Sequence, residues 1–203
     1  MAIPFAELNK VNPSSIIVLF ELQLKLGLHI PDPNTENLET VFRFHNGSNL
    51  NLNSDLVFQQ QSYQRVAVEA QSFEQSSTGL QVRPSLKFSN LGGILKDGVV
   101  RTMTDFLDIV NTVTPNNDLI DATVIRRQVL ASSLDNENFR GNNPFGTPSN
   151  NELRKQIFRI DRKASENRTF VQFELSSVLD MQNLLIPRRV VTREIFPAVG
   201  NFV

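Results

Sequence analysis

In Thr169-Phe170-Val171-Gln172-Phe173-Glu174-Leu175-Ser176 apolar and polar side chains alternate from Val171 onward. Successive side chains of a strand point to opposite faces of the sheet, so Val171, Phe173 and Leu175 share one face and Gln172 and Glu174 the other. Residues 156–161 supply the partner strand of a hairpin, with a polar turn between the two. The same reading extends outward. Residues 123–130 form a strand, and residues 16–24 form a core strand in which Ile16-Ile17-Val18-Leu19-Phe20 runs into Glu21-Leu22-Gln23-Leu24. Thr40-Val41-Phe42-Arg43-Phe44-His45 alternates and meets Asn46-Gly47, a dipeptide suited to the positive φ angles of a tight turn, so a hairpin is expected there. Tyr63, Val66, Val68, Val82, Leu86 and Phe88 continue the period of two, and Pro84, which has no N–H for a ladder, predicts an edge strand or a bulge.

One segment breaks this pattern. Phe106, Leu107, Val110 and Val113 fall on one face of a helix over residues 105–114, which Pro115 and the following asparagines end. Polar loops are expected at 31–39, 46–55 and 136–151, and the third is long enough to be either disordered or a surface given to a neighbour. The expected fold is mainly β, an antiparallel barrel-like or sandwich-like domain with one or two short helices. Strand and helix do not alternate as in a parallel α/β fold.

Composition narrows the function. With no cysteine among 203 residues there is no disulfide framework, thiolate nucleophile or cysteine-held metal or cluster, and a chain of this length stabilises its fold without them. Twenty basic and 21 acidic residues give a net charge of −1, which argues against a dedicated nucleic-acid or membrane binder. The longest apolar run stops at Glu21, far short of the ~20 residues of a spanning helix, and no secretory signal is visible, so neither membrane insertion nor export is expected. Fifteen phenylalanines accompany one tyrosine and no tryptophan, which weakens the alternative of a receptor- or glycan-binding β-sandwich, since sugars usually stack on Trp or Tyr.

The chain offers little chemistry. His29 and His45 are the two histidines, and each reads as a structural residue near a strand end, not as a base or ligand. Asp32-Pro33-Asn34-Thr35-Glu36 begins like a calcium loop, but Asn37 and Arg43 stand where glycine and a bidentate carboxylate are needed. Gly92-Gly93 lacks the surroundings of a phosphate loop, and the glycosylation-like triplets at Asn46 and Asn167 read as turns. Arg126-Arg127, Arg162-Lys163 and Arg188-Arg189 are adjacent pairs, so each pair divides between two faces of a strand, one residue solvated and the other paired with a carboxylate. No enzyme activity and no cofactor or metal site is expected.

The order of certain segments carries more. Phe42-Arg43-Phe44-His45-Asn46-Gly47, Tyr63-Gln64, Phe73-Glu74 and Val82-Arg83-Pro84-Ser85-Leu86-Lys87-Phe88-Ser89-Asn90-Leu91 come first. Thr123-Val124-Ile125-Arg126-Arg127, Leu134-Asp135, Asn138-Phe139, Ile160-Asp161-Arg162-Lys163-Ala164-Ser165-Glu166-Asn167-Arg168, Phe173-Glu174-Leu175 and Ile186-Pro187-Arg188-Arg189 follow. In this order they resemble the minor tail protein L family of long-tailed, non-contractile bacteriophages, across about residues 16–192. The family continues into a cysteine-rich domain holding an iron-sulfur cluster; here Phe196 stands near the place of the first cluster cysteine, so that domain is not carried over.

The resemblance implies a structural protein of the virion tail tip, assembled in the host cytoplasm. It would form a homotrimer or ring in a baseplate hub layer, between the distal tail protein and the central hub or fibre protein and beside the tape measure protein. The layer would surround the DNA conduit without specific nucleic-acid binding. Residues 1–192 would be the hub-like β domain, one unit or two intertwined small ones, and 193–203 a docking segment. Its apolar Phe196, Val199 and Phe202 would each contribute about 1.5–3 kcal/mol when buried. With Arg188, Arg189 and Arg193 they are the expected partner interface.

Overall fold

The computed structural model describes residues 9–31, 40–47, 55–73, 83–91, 94–96 and 99–177, of which 94–96 and 99–101 are described as backbone. The chain is mainly β, as the alternation predicts. Strands β1 (Ile16–Gln23), β2 (Val41–His45), β3 (Leu56–Phe58), β4 (Gln61–Arg65), β5 (Val68–Gln71) and β6 (Ser85–Ser89) precede a small ribbon of β7 (Ile94–Lys96) and β8 (Val99–Arg101). After helix α1 (Met103–Val113) come β9 (Thr123–Leu130), β10 (Gln156–Glu166) and β11 (Phe170–Ser177). Nine strands form one sheet in the order β3-β4-β2-β1-β9-β10-β11-β6-β5, antiparallel except for the β2–β4 pair.

The sheet is open and not closed into a barrel, but it rolls until its two halves face one another. Phe44 on β2 and Phe88 on β6 lie five strand steps apart, about 24 Å along a flat sheet. Their ring centroids are nevertheless 5.3 Å apart. The corner is Val66-Ala67, between β4 and β5: the Val66 N–H donates to His45 O at 3.0 Å, and Ala67 O accepts the Ser89 N–H at 2.8 Å. One bent segment therefore bonds first to β2 and then to β6, a device by which a strand passes from one packed layer to the other.

The phenylalanine-rich composition fills the space between the layers. Phe173, Phe88, Phe44, Phe20, Phe73 and Phe158 form a continuous run of rings at 5.3–6.0 Å spacing, and Phe106 of α1 meets Phe42 edge-on at 4.9 Å. Val171, Phe173 and Leu175 all point into this core, as their alternation requires. Leu19 and Phe20 are both fully buried although they face opposite ways, because a second core of Leu19, Leu56, Phe58, Tyr63, Val129 and Leu134 covers the other side of β1. Packing on both faces accounts for the apolar run from Ile17 to Phe20, while Ile16 at the start of the strand is 57% exposed.

Helix α1 begins two residues before the expected boundary. Thr102 caps it, accepting the Asp105 N–H on Oγ1 at 3.1 Å while the Asp105 carboxylate accepts the Thr102 N–H at 3.0 Å. The β10–β11 turn is built on Asn167, whose Oδ1 accepts the N–H groups of Thr169 and Phe170, so this triplet is a turn as expected. Asp32 to Glu36 and Gly92-Gly93 lie outside the described residues.

Three expectations are corrected. Asn46-Gly47 does not close a hairpin between consecutive strands; β2 lies between β1 and β4, and the next hairpin joins β3 to β4 through Gln59-Gln60. A local turn preference of about 1 kcal/mol yields to the burial of Leu56, Phe58 and Tyr63 on the far side of β1. Pro84 marks neither an edge strand nor a bulge: it precedes β6, which is interior, and its carbonyl accepts the Leu175 N–H at 2.8 Å. Of the two readings of the 136–151 loop, disorder is corrected: the loop is knitted into the fold. Asn143 is buried, donates through Nδ2 to the carbonyls of Ala131, Ser132 and Leu134 at 3.0–3.3 Å, and accepts the Phe145 N–H at 2.9 Å.

Candidate functional site

The densest polar constellation sits in the smaller core, around Arg127 on β9. Register places Arg127 opposite Leu19 of β1, with Glu21 two residues further along β1 on the same face. Arg127 is 5% exposed. Its Nε donates to Glu152 at 2.7 Å, Nη1 to Glu21 at 2.8 Å and to the Tyr63 hydroxyl oxygen at 3.0 Å, and Nη2 to Gln59 Oε1 at 2.8 Å. The Tyr63 hydroxyl donates in turn to Glu21 at 2.7 Å, and the guanidinium lies over the Phe58 ring at 5.2 Å. A planar fork with several fixed donors suits such a junction, where a point-like ammonium would not.

The electrostatics are balanced. Lys155 meets Glu152 at 3.2 Å, so two cations face two carboxylates. Burial raises the Glu21 pKa, but the Tyr63 hydroxyl and the Arg127 guanidinium outweigh it and hold the carboxyl below its ordinary value. Burial and the neighbouring Glu21 carboxylate push the Tyr63 phenol well above the ordinary value of 10. Arg127 is desolvated, yet its bonds to Glu152 and Glu21 raise its pKa further, so it stays charged. Every group in the constellation is engaged with another, so the arrangement joins β1, β4, β9, the β3–β4 turn and the segment around Glu152 rigidly.

The adjacent Arg126 points to the other face, as strand alternation requires. It is not solvated there: it donates to Gln156 at 2.7 Å and lies 5.1 Å from the Phe73 ring centre. Arg162 grips Glu174 with two bonds of 2.9 and 3.1 Å, and Lys163 meets both Asp118 and Glu166. The expected division into one solvated and one paired residue fails for Arg126-Arg127, because Arg126 also faces a partner strand, but it is kept in Arg162-Lys163, where Arg162 is 64% exposed even though it meets Glu174 and Lys163 is the partly buried residue held by two carboxylates.

Both histidines are buried in the framework. His29 is held as a neutral ring, with Nδ1 accepting the Lys25 N–H at 3.0 Å and Nε2 donating to Ile120 O at 2.9 Å; burial lowers its pKa. His45 is fully buried at the end of β2. Among the described residues no group of three or more His, Asp or Glu converges as a metal site.

Surface clefts are lined by other residues. One of about 630 Å³ is lined by Asn90, Leu91, Thr102, Thr104, Asp105 and residues 166–169. Its polar groups bond to one another, Asn90 to Thr104 and Thr104 to Glu166. Arg188, Arg189, Arg193, Phe196, Val199 and Phe202 lie outside the described residues. Gln59 and Glu152 are absent from any sequence-based expectation; the only hints were the Arg126-Arg127 alternation and the chain's single tyrosine.

Comparison with known proteins places this geometry in context. Residues 35–199 match the family described as phage minor tail protein L. The chain is 25% identical over 185 residues to the protein named tail tip protein L of Escherichia phage lambda, an alignment covering 91% of this chain and 68% of that relative.

Proposed function

The chain belongs to the phage minor tail protein L family, and from that membership we propose that it is a non-enzymatic structural component of the tail tip. In this reading it forms a homotrimer or ring in the baseplate hub layer, joins the distal tail protein to the central hub or fibre protein beside the tape measure protein, and surrounds the DNA conduit. It assembles in the host cytoplasm and stays in the virion. Residues 1–192 are the β domain that builds the layer, and 193–203 are a docking segment, with Arg188, Arg189, Arg193, Phe196, Val199 and Phe202 at the partner interface.

The observation that carries the reading is the family match along residues 35–199, most of the chain. The Arg127 constellation is consistent with it, because a load-transmitting ring benefits from charges locked inside the subunit. Quantitative peptide mass spectrometry of purified particles, counting this chain against the tail-tube protein, tests it. About three copies per tail support a trimeric tip layer, about six or twelve place the chain at the distal tube, and absence from particles overturns the structural role.

A further inference from the structure

Strand β3 ends the sheet, with β4 on one side and no strand on the other among the described residues. Its sequence Leu56-Val57-Phe58 is wholly apolar, the kind of edge that pairs with another chain when its backbone groups are free. They are not free here. The Val57 N–H donates to Asn138 Oδ1 at 2.7 Å, and Asn138 Nδ2 donates to Val57 O at 2.6 Å. A primary amide thus makes the two bonds that a neighbouring strand would make. Asp135, three residues earlier, accepts the Gln60 N–H at 2.8 Å, so the two side chains cover successive outward-facing groups of the hairpin. Asn138 is 1% exposed and is fixed by a third bond, from Nδ2 to Asp135 O at 2.8 Å.

We propose that Asn138, aided by Asp135, is a built-in guard of the β3 edge, which keeps that edge from pairing with the same edge of a second copy of this chain. The guard is independent of the role in the particle: it concerns the chain itself at any concentration. Asparagine is suited to the task because its amide sets an N–H donor beside a C=O acceptor, matching a backbone C=O and N–H. Removing the amide leaves both Val57 groups unsatisfied, and the cheapest partner for them is a strand.

The test uses the full chain. Sedimentation velocity over a concentration series compares wild type with Asn138→Ala, and circular dichroism checks the fold. The expected result is association of the variant beyond the wild-type state, reversed by adding Val57→Pro, which removes the N–H that the pairing needs. A folded Asn138→Ala protein that sediments as wild type overturns the proposal. Should the variant not fold, amide exchange in the wild type decides. The Val57 amide exchanging about tenfold or more slower than an unprotected edge amide supports the guard, and exchange at the unprotected rate overturns it.

Discussion

Arg127 on β9 and Gln59 in the β3–β4 turn, 68 positions apart in the chain, are joined by a 2.8 Å bond from Nη2 to Oε1. The turn it holds is unusual, since both central residues have positive φ, 54° at Gln59 and 60° at Gln60. Two-residue hairpins with this twist normally take Asn-Gly, because other L-residues lose about 1–2 kcal/mol in that region. The turn is kept by what it touches: Arg127 through the Gln59 side chain and Asp135 through the Gln60 N–H.

Replacing Gln60 by Asn should therefore stabilise the protein by about 0.5 kcal/mol, because asparagine tolerates the left-handed region and the Gln60 backbone bond is kept. Gln59→Ala should act the other way, by about 1–2 kcal/mol, because one guanidinium donor is left buried without its acceptor. Urea unfolding at unchanged slope measures both.

Arg127→Met should cost about 3–5 kcal/mol, because Glu21 and Glu152 lose their buried counter-charge. Arg127→Lys should recover only part of this loss, since an ammonium cannot reach four acceptors in one plane. A thermal and urea series across the three proteins checks the order.

Tyr63 is the chain's single tyrosine, so ultraviolet absorbance of phenolate reports on it alone. Its folded pKa lies above the unfolded value, so its contribution to stability is present below about pH 10 and is lost as the pH rises beyond it. Phenolate should form together with alkaline unfolding, not before it. A separate phenolate transition in folded protein would contradict the buried hydroxyl bond to Glu21.

On the acid side the sign is opposite. His29 is depressed by burial, so its contribution is present above its unfolded value of about 6.5 and declines as the pH falls below it. Glu21 and Asp121 are raised by burial but lowered further, by Tyr63 and Arg127 and by Lys25 and Arg159 respectively. Lys163 lowers Glu166. Their contributions are lost at still lower pH, as it falls through the ordinary carboxylate range. Stability against pH should therefore decline in two stages, and His29→Gln should remove the first.

The sequence by itself determined strands at 16–24, 123–130, 156–161 and 169–176 and a helix over 105–114, whereas the run of β10 on to Glu166 came only with the structure. Their periodicity is a local property, and burial of one face enforces it whatever the neighbours are. The family was also readable, from the order of short segments along the chain. Tertiary structure alone decided how the strands met. Asn46-Gly47 carried the strongest turn signal, yet Gln59-Gln60 makes the hairpin, because Arg127 and Asp135 lie against it only after the sheet has formed. The long Asn-rich loop read as disordered or as a surface given to a neighbour because nothing local shows that Asn138 bonds Val57 across 81 positions or that Asn143 gathers three carbonyls. Such contacts join residues remote in sequence, and a side chain's partner is fixed only when the sheet rolls and brings the two surfaces together.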